Sequence, residues 1–470
     1  MKRSLCTIST ILITVALLTA QEWEQVYSNT NAGIAYDVQA TPDGGYIMVG
    51  EVDWLTGAIR HYIELVKTDP TGNLEWSQRY KAGQVLYEEG RSVVQTPDGG
   101  YLIGGTTTDN DATGIKQMYL VKTNALGEIE WNRTGYEGLD TQEGRDAILT
   151  SDGGYLFVGK NIQFDGIDQY GFLMVKTDGQ GNEVWSETFF DDGDINDGAE
   201  AAIQTADGNF VICGTYKTQT LLLKLSTNGD VLWSETYINS KAEGGFALRE
   251  MPNGDLVVAS LMTGIAGANP SVLRTTADGV KVWQKIVLDP DISFWGQVND
   301  LDLTDDGGYI VTGFAAGPSP GLGGGYLAKL DSNGDTQWTK RLSNNNPVQG
   351  NAVRTLSDDC YIVAGGAMPG LFIARICGEE TSSVENRSGA NAIADIYPNP
   401  NRGQVMIDLK ENPTQGMSLR IYDALGKLLL EEALVQSQTA VKTACLEGGM
   451  YFYQISNRDG VLQTGKIIVQ

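Results

Sequence analysis

Histidine is nearly absent: His61 is the only one in 470 residues. Chemistry that needs two imidazoles, or a serine–histidine pair away from position 61, is thereby excluded. Cysteine is scarce, five residues with no adjacent pair. Positive charge is in deficit, with 33 Lys and Arg against 59 Asp and Glu, a net charge of −26. A nucleic-acid partner demands the opposite, a cationic footprint; such acidity serves solubility. Beyond the first twenty residues no apolar run approaches the ~20 residues that span a bilayer. Helical periodicity is also missing. What is abundant is 58 Gly, 20 Tyr and 9 Trp, the composition of short strands and tight turns, so an all-β chain is expected.

The chain opens on Met1-Lys2-Arg3, continues uncharged from Ser4 to Ala20 and turns polar at Gln21-Glu22. A basic start, an apolar stretch and a small residue before a polar segment make a secretory signal peptide, residues 1–20, with cleavage after Ala20. The apolar stretch Ile8–Ala20 is too short for a membrane anchor. Removal of Lys2 and Arg3 takes the net charge to −28.

Internal repetition is the main signal that follows. One unit runs from Tyr36 through Thr41-Pro-Asp-Gly-Gly45 to Gly50, then from Tyr62 through Asp69-Pro-Thr-Gly72 to Trp76. The residue after the first turn recurs as Tyr46, Tyr101, Tyr155, Phe210, Leu256, Tyr309 and Tyr361, at intervals of 46 to 55 residues. Each unit is two hairpins: proline presets φ, aspartate caps locally and glycine accepts positive φ. Four short strands per ~50 residues is the arithmetic of a propeller blade.

Trp76, Trp131, Trp185, Trp233, Trp283 and Trp338 fall in the fourth strand of successive units. The seventh unit ends at Cys377 without such a strand, but Glu22-Trp23-Glu24-Gln25-Val26-Tyr27 resembles Glu75-Trp76-Ser77-Gln78-Arg79-Tyr80. A seven-bladed β-propeller over 21–377 is therefore expected, closed by an N-terminal strand in the last blade, which removes the open edges of an unclosed array. A basic residue recurs in every third strand: Lys67, Lys122, Lys176, Lys224, Arg274, Lys329 and Arg375. It could form an anion-binding ring or pair with the turn aspartate of its own blade, as Lys67 with Asp43; its presence in every blade favours the pair. The Asp-x-x-Gly-x-x-x-Trp hairpin resembles the repeat of quinoprotein-type and delta-60-type propellers. It is also similar to the Asp-box of sialidases, with one residue more. The resemblance implies a fold and no chemistry, since no Cys-Cys pair for a quinone site exists. Cys360 begins one strand and Cys377 ends the next, so a symmetric hairpin sets them opposite each other and a disulfide is expected. Cys213 reads as a buried strand thiol.

A small, polar linker over 378–394 precedes a different pattern: Tyr397-Pro398-Asn399-Pro400, then Leu419 to Gly426-Lys427, Gly449-Met-Tyr451 and Lys466-Ile-Ile-Val-Gln470. These residues resemble the type A C-terminal sorting domain of the type IX secretion system. The resemblance implies an immunoglobulin-like β-sandwich over 395–470, the secretion machinery and its sortase as partners, and transit through the periplasm to the cell surface or medium. It also implies removal of the domain, often with attachment of the cargo to surface lipopolysaccharide. The segment's own alternating strands and glycine turns read as a sandwich independently.

No catalytic constellation emerges. Carboxylates are too numerous for one pair to be informative. Asp191-Asp-Gly-Asp-Ile-Asn-Asp-Gly198 lacks the sixth-position glycine and the acidic twelfth ligand of a calcium loop, so it reads as a solvated acidic loop, and neither metal nor cofactor is expected. Two tryptophans stand outside the repeat, Trp54 and Trp295. With Phe164, Tyr170 and Phe294 they fall in loops expected on the face opposite the Asp-Gly-Gly turns, where exposed aromatics suit stacking on sugars. The sequence thus favours a non-enzymatic binding or adhesion module for a glycan or protein ligand. The alternative is a propeller hydrolase or lyase acting on polysaccharide.

Overall fold

The computed structural model describes residues 22–27, 33–55, 59–81, 87–108, 115–136, 141–164, 168–191, 197–237, 244–264, 267–287, 295–316, 324–342, 348–357, 359–367 and 370–378 of the N-terminal unit. In the tail it describes 393–397, 403–410, 412–413, 417–422, 428–443, 446, 449–457 and 460–469. Residues 1–20, expected as a signal peptide, and most of 378–394, expected as a linker, lie outside these residues. The chain divides into two compact units between Cys377 and Gly378. All regular structure among the described residues is strand, and no helix is long and apolar enough to cross a membrane.

In the first unit, β1 (Trp23–Tyr27) is followed by the antiparallel meander β2 (Gly33–Ala40), β3 (Tyr46–Leu55), β4 (Ile59–Thr68) and β5 (Leu74–Tyr80). The same four-stranded meander recurs over 88–134, 141–191, 198–237, 245–286 and 295–341. Three strands remain at the end: Gln349–Thr355, Cys360–Ala367 and Gly370–Cys377. β1 pairs antiparallel with Gly370–Cys377, and Trp23 stands opposite Arg375. The first strands of consecutive meanders touch in chain order, and the last, Gln349–Thr355, also touches β2.

The turn chemistry explains the meander. In Thr41-Pro-Asp-Gly-Gly45, Gly44 takes φ 86°, and its N–H donates to the Thr41 carbonyl at 2.9 Å. The Asp43 carboxylate accepts from the Thr41 hydroxyl and, at 3.0 Å, from the Gly45 N–H. The turn thus satisfies its own backbone before anything packs on it. Asp98 and Asp152 make the same contacts at Gly100 and Gly154.

Packing between meanders repeats as regularly. Except for Trp233, whose next meander opens its second strand on Leu256, the tryptophan of each fourth strand tilts onto the aromatic residue that opens the next meander's second strand: Trp76 on Tyr101 and Trp131 on Tyr155, both with centroids 6.0 Å apart. Trp338 packs on Tyr361 at 6.0 Å, and Trp23 packs on Tyr46 at 5.7 Å. Such tilted pairs add to the burial of their area. Cys360 and Cys377 lie opposite each other in register and are joined as a disulfide. Cys213 is buried and free.

The second unit is two antiparallel sheets. Strands Ala394–Tyr397, Gln404–Leu409 and Gln438–Lys442 form one. Leu428–Ala433, Ser418–Tyr422, Gly449–Asn457 and Gly460–Val469 form the other. Val405, Ile407, Leu419, Ile421, Ile455 and Ile467 fill the core between them.

Candidate functional site

Each meander's first strand carries a bulge at the same place. Ladder pairing skips one residue between Ala35 and Asp37, Gly90 and Ser92, Gly144 and Asp146, Ala199 and Ala201, Gly245 and Ala247, Val298 and Asp300, and Gly350 and Ala352. The skipped residues are Tyr36, Arg91, Arg145, Glu200, Phe246, Asn299 and Asn351. A bulge leaves its extra residue out of the ladder and re-aims its side chain. These seven, with Gln349, line one cavity of about 210 Å³.

The cavity has two unlike halves. One carries charge: Arg91 pairs with Glu89, and its guanidinium lies 4.0 Å from the centre of the Tyr36 ring. Arg145 meets Glu143 at 2.9 Å and Glu200 at 3.7 Å. The other half is neutral. Asn299 Nδ2 donates to the Gly350 carbonyl at 2.8 Å, and Asn351 Nδ2 donates to the Ala35 carbonyl at 2.8 Å. Tyr36 donates its phenol proton to Glu51 at 2.9 Å, and burial raises the phenol's pKa well above its ordinary value. Burial, with the nearby Glu89, also pushes Glu51 up.

At four of the seven bulges the residue that follows stitches neighbours together, the other three being Ala201, Ala247 and Ala352. Asp37 accepts from the Val93 N–H at 3.0 Å, the Ser92 hydroxyl from Ala147 N–H at 2.9 Å, and Asp146 from Ala202 N–H at 3.0 Å. Asp300 does so for Val353 at 2.9 Å. Arg354 bridges Asp300 and, at 2.5 Å, Asp37, so the last first strand is tied to the first. Asp146 lacks such a bridge among the ion pairs of the described residues, and burial lifts its carboxyl to about 6.

The basic series serves the turns. Lys67 meets Asp43 at 2.9 Å, Lys122 meets Asp98 at 2.9 Å, and Lys329 meets Asp306 at 2.8 Å. Each of the seven basic residues also stands directly across the ladder from a tryptophan, as Lys67 from Trp76 and Arg375 from Trp23. Burial works against ionisation of Asp43, but the Thr41 hydroxyl, Lys67 and the Gly45 N–H outweigh it and hold the carboxyl at about 2.

The aromatic candidates are placed differently from the loops expected for them. Trp54 stands in β3 opposite Arg60, Phe164 in Tyr155–Phe164 opposite Asp168, and Tyr170 opposite Ile162. Trp295 opens Trp295–Leu303 opposite Ala316. These aromatic-rich ends favour strand, so ladder pairing carries on almost to the hairpin tips. Tyr170 is half-buried, with the Lys160 ammonium 4.8 Å from its ring centre. Phe294, and the side chains of Trp54, Phe164 and Trp295, lie outside the described residues. Tyr170, the one of the five whose side chain is described, is not among the residues that line the cavity. The residues that line it were missed in the sequence, although each bulge residue stands ten positions before the recurring aromatic or leucine, after Gly, Ala or Val and before Ala, Ser or Asp.

In the tail, Tyr397 is exposed at a strand end with its hydroxyl 3.4 Å from Asp408. Gly449 pairs with Val469, Tyr451 with Ile467, and Lys466 with Phe452. Tyr451 packs against the core. Pro398, Asn399, Pro400, Gly426 and Lys427 lie outside the described residues.

Four-stranded antiparallel meanders of the β-propeller type, followed by a separate two-sheet domain, define a modular all-β protein. Residues 395–470 match the model of the secretion system C-terminal sorting domain, which marks a protein exported through the type IX machinery, via the periplasm, to the cell surface or extracellular space. No curated protein matches the chain. Among solved structures it is similar to PorZ, an essential bacterial surface component of the type IX secretion system of Porphyromonas gingivalis. Identity there is 14%, coverage 93% of this chain and 59% of that one, and the TM-score 0.46; the chain thus spans less than two thirds of PorZ. A protein of unknown function from Dyadobacter fermentans gives 11% identity, 75% and 97% coverage and a TM-score of 0.43. Sqt1 from Chaetomium thermophilum gives 11%, 96% and 100%, and 0.44.

Proposed function

We propose that the protein is a surface-delivered, non-enzymatic binding module. In this reading residues 21–377 form a seven-bladed propeller closed by the N-terminal strand, and a glycan or protein ligand enters the cavity among the bulge residues. The observation that carries the binding role is variation at one position of a repeated frame. The turns, tryptophans and basic partners recur because every blade needs them. The bulge position holds Tyr, Arg, Arg, Glu, Phe, Asn and Asn, which is what a ligand site on a repeat scaffold requires and a structural role does not. Ring closure is supported by β1 pairing with Gly370–Cys377 and by Trp23 packing on Tyr46 as the other repeat tryptophans pack on their neighbours.

The ends act as addresses. Residues 1–20 direct entry to the periplasm, the 378–394 linker gives the sortase access, and the immunoglobulin-like domain at 395–470 is removed as the cargo is released or attached to lipopolysaccharide. Trp54, Phe164, Tyr170, Phe294 and Trp295, at the hairpin end opposite the Asp-Gly-Gly turns, extend the contact surface around the cavity. The test is an immobilised array of glycans and surface proteins probed with the full chain and with Phe246→Ala and Asn351→Ala. Retention of a ligand by the parent protein and its loss in both variants is the expected result. Undiminished retention by both variants overturns the cavity as the site, and release of cleaved product from a glycan makes the protein a hydrolase or lyase instead.

A further inference from the structure

The chemistry of the cavity wall narrows the ligand, on the reading that the cavity is a binding site. We infer that it accepts a single neutral sugar residue at the end of a glycan chain. Size is the first argument. Pockets for drug-sized ligands run to roughly 300–1,000 Å³, and this one holds about 210 Å³. That suits one pyranose ring and excludes a running stretch of polymer, so recognition is of a terminus.

Charge is the second argument. The guanidiniums in the wall already face carboxylates, Arg91 against Glu89 and Arg145 against Glu143 and Glu200. A uronate or phosphate would compete with those carboxylates and lie beside them, and an ammonium sugar would meet the two guanidiniums. Either ion would leave like charges together at low dielectric, which is costly.

Unsatisfied hydrogen-bonding capacity is the third argument. The buried Nε–H of Arg91 has no hydrogen-bond acceptor, that of Arg145 has only the Glu200 carboxylate at 3.7 Å, and Glu51 Oε2, on the carboxylate that holds the Tyr36 hydroxyl, has only His61 Nδ1 at 3.6 Å, both beyond hydrogen-bond length. Buried polar atoms are rarely left so. A simple anion satisfies only the first kind and a simple cation only the second. A hydroxyl both donates and accepts, and a sugar carries several at fixed angles. The neutral half supplies the rest: the amides of Asn299, Asn351 and Gln349 for further hydroxyls, and the ring of Phe246 for the apolar face of the pyranose.

The experiment is calorimetric titration of the full chain with neutral gluco-, manno- and galacto-trisaccharides and hexasaccharides, with trigalacturonate, and with a glucosamine trimer. At least one neutral trisaccharide binds at one per chain. Its hexasaccharide binds within about threefold of it, and the charged trimers at least about tenfold more weakly. Phe246→Ala and Asn351→Ala each weaken the neutral ligand about tenfold or more while melting within a few degrees of the parent. A charged trimer that binds better, a hexasaccharide that gains far more than threefold, or no binding of any neutral sugar overturns the inference. If a different ligand binds and is lost in both variants, the sugar assignment falls and the cavity as a site stands. If a bound sugar is indifferent to both variants, both fall.

Discussion

Replacing Trp23 by alanine tests whether the N-terminal strand completes the last sheet. Trp23 lies 5.7 Å from Tyr46, and its ring also covers Gly72, whose added Cβ would come within 2.5 Å of it. The neighbouring Tyr27 hydroxyl donates to the Gly72 carbonyl, and the Glu22 carboxylate accepts from the Cys377 N–H at 3.0 Å. Trp131 occupies the same setting within the chain, 6.0 Å from Tyr155 and over Gly181. Truncating a fully buried tryptophan costs ~3–5 kcal/mol. Both of these are half-buried, which scales the loss to about 2–3 kcal/mol, including the aromatic pair at ~0.5–1.5 kcal/mol. Urea denaturation followed by far-UV circular dichroism, which does not rely on the fluorescence of the residue removed, compares Trp23→Ala with Trp131→Ala. Equal losses are expected. A Trp23→Ala protein within about 0.5 kcal/mol of the parent, beside a Trp131→Ala protein that loses several times more, would refute closure by this strand.

Three further outcomes follow from particular contacts. The Cys360–Cys377 link spans 17 residues, so Cys377→Ser should destabilise the first unit by about 3 kcal/mol on the loop-entropy estimate; a reductant that leaves the parent's melting unchanged argues against the link. Gly100→Ala places its Cβ 2.0 Å from the Thr123 carbonyl oxygen, a backbone clash expected to lower the yield of folded protein severely, while alanine at the already exposed Thr71 should not. Asp146 is raised to about 6 by burial. Between that value and the ordinary one near 3.8 the folded chain holds a proton the unfolded chain has released, so its contribution to stability improves as pH falls through 6 and is worst above it. Asp146→Asn should therefore raise the melting temperature at pH 7.5 and change nothing near pH 4; an equal shift at both values would assign the effect to packing rather than charge.

What was legible in the sequence is what every unit must repeat. Thr-Pro-Asp-Gly-Gly announces its own turn because the aspartate, threonine and glycine satisfy that turn locally. The pairing of Lys67 with Asp43 was legible because a charge repeated in each unit serves the unit. The strand ends were harder to place. Trp54 and Phe164 lie beyond the alternating core, where polar residues such as Asp53 and Gln163 hide a ladder that continues to Leu55 opposite Ile59 and Phe164 opposite Asp168. The bulge residues were overlooked for the opposite reason. They share a spacing but no residue type, and a search for recurring residues passes over a position whose only constancy is its neighbours.

Those neighbours explain why the position is free to vary. Each first strand runs close to second strands, its own and that of the meander before, and a Cβ on Gly144 would sit 2.2 Å from the Gly105 carbonyl oxygen and 2.3 Å from the Phe157 ring. The flanking residues are therefore held small by backbone contact and by the stitches from Asp37, Ser92, Asp146 and Asp300. The bulged residue has no ladder partner to satisfy, and its side chain makes its contacts at the cavity wall, as Asn299 does with the Gly350 carbonyl. Replacing Arg91 or Asn299 changes the cavity wall without changing a turn, a tryptophan contact or a ladder pair. Specificity and stability are thereby carried by different positions of the same strand, and a change of ligand requires only substitutions at the residues the ladder skips.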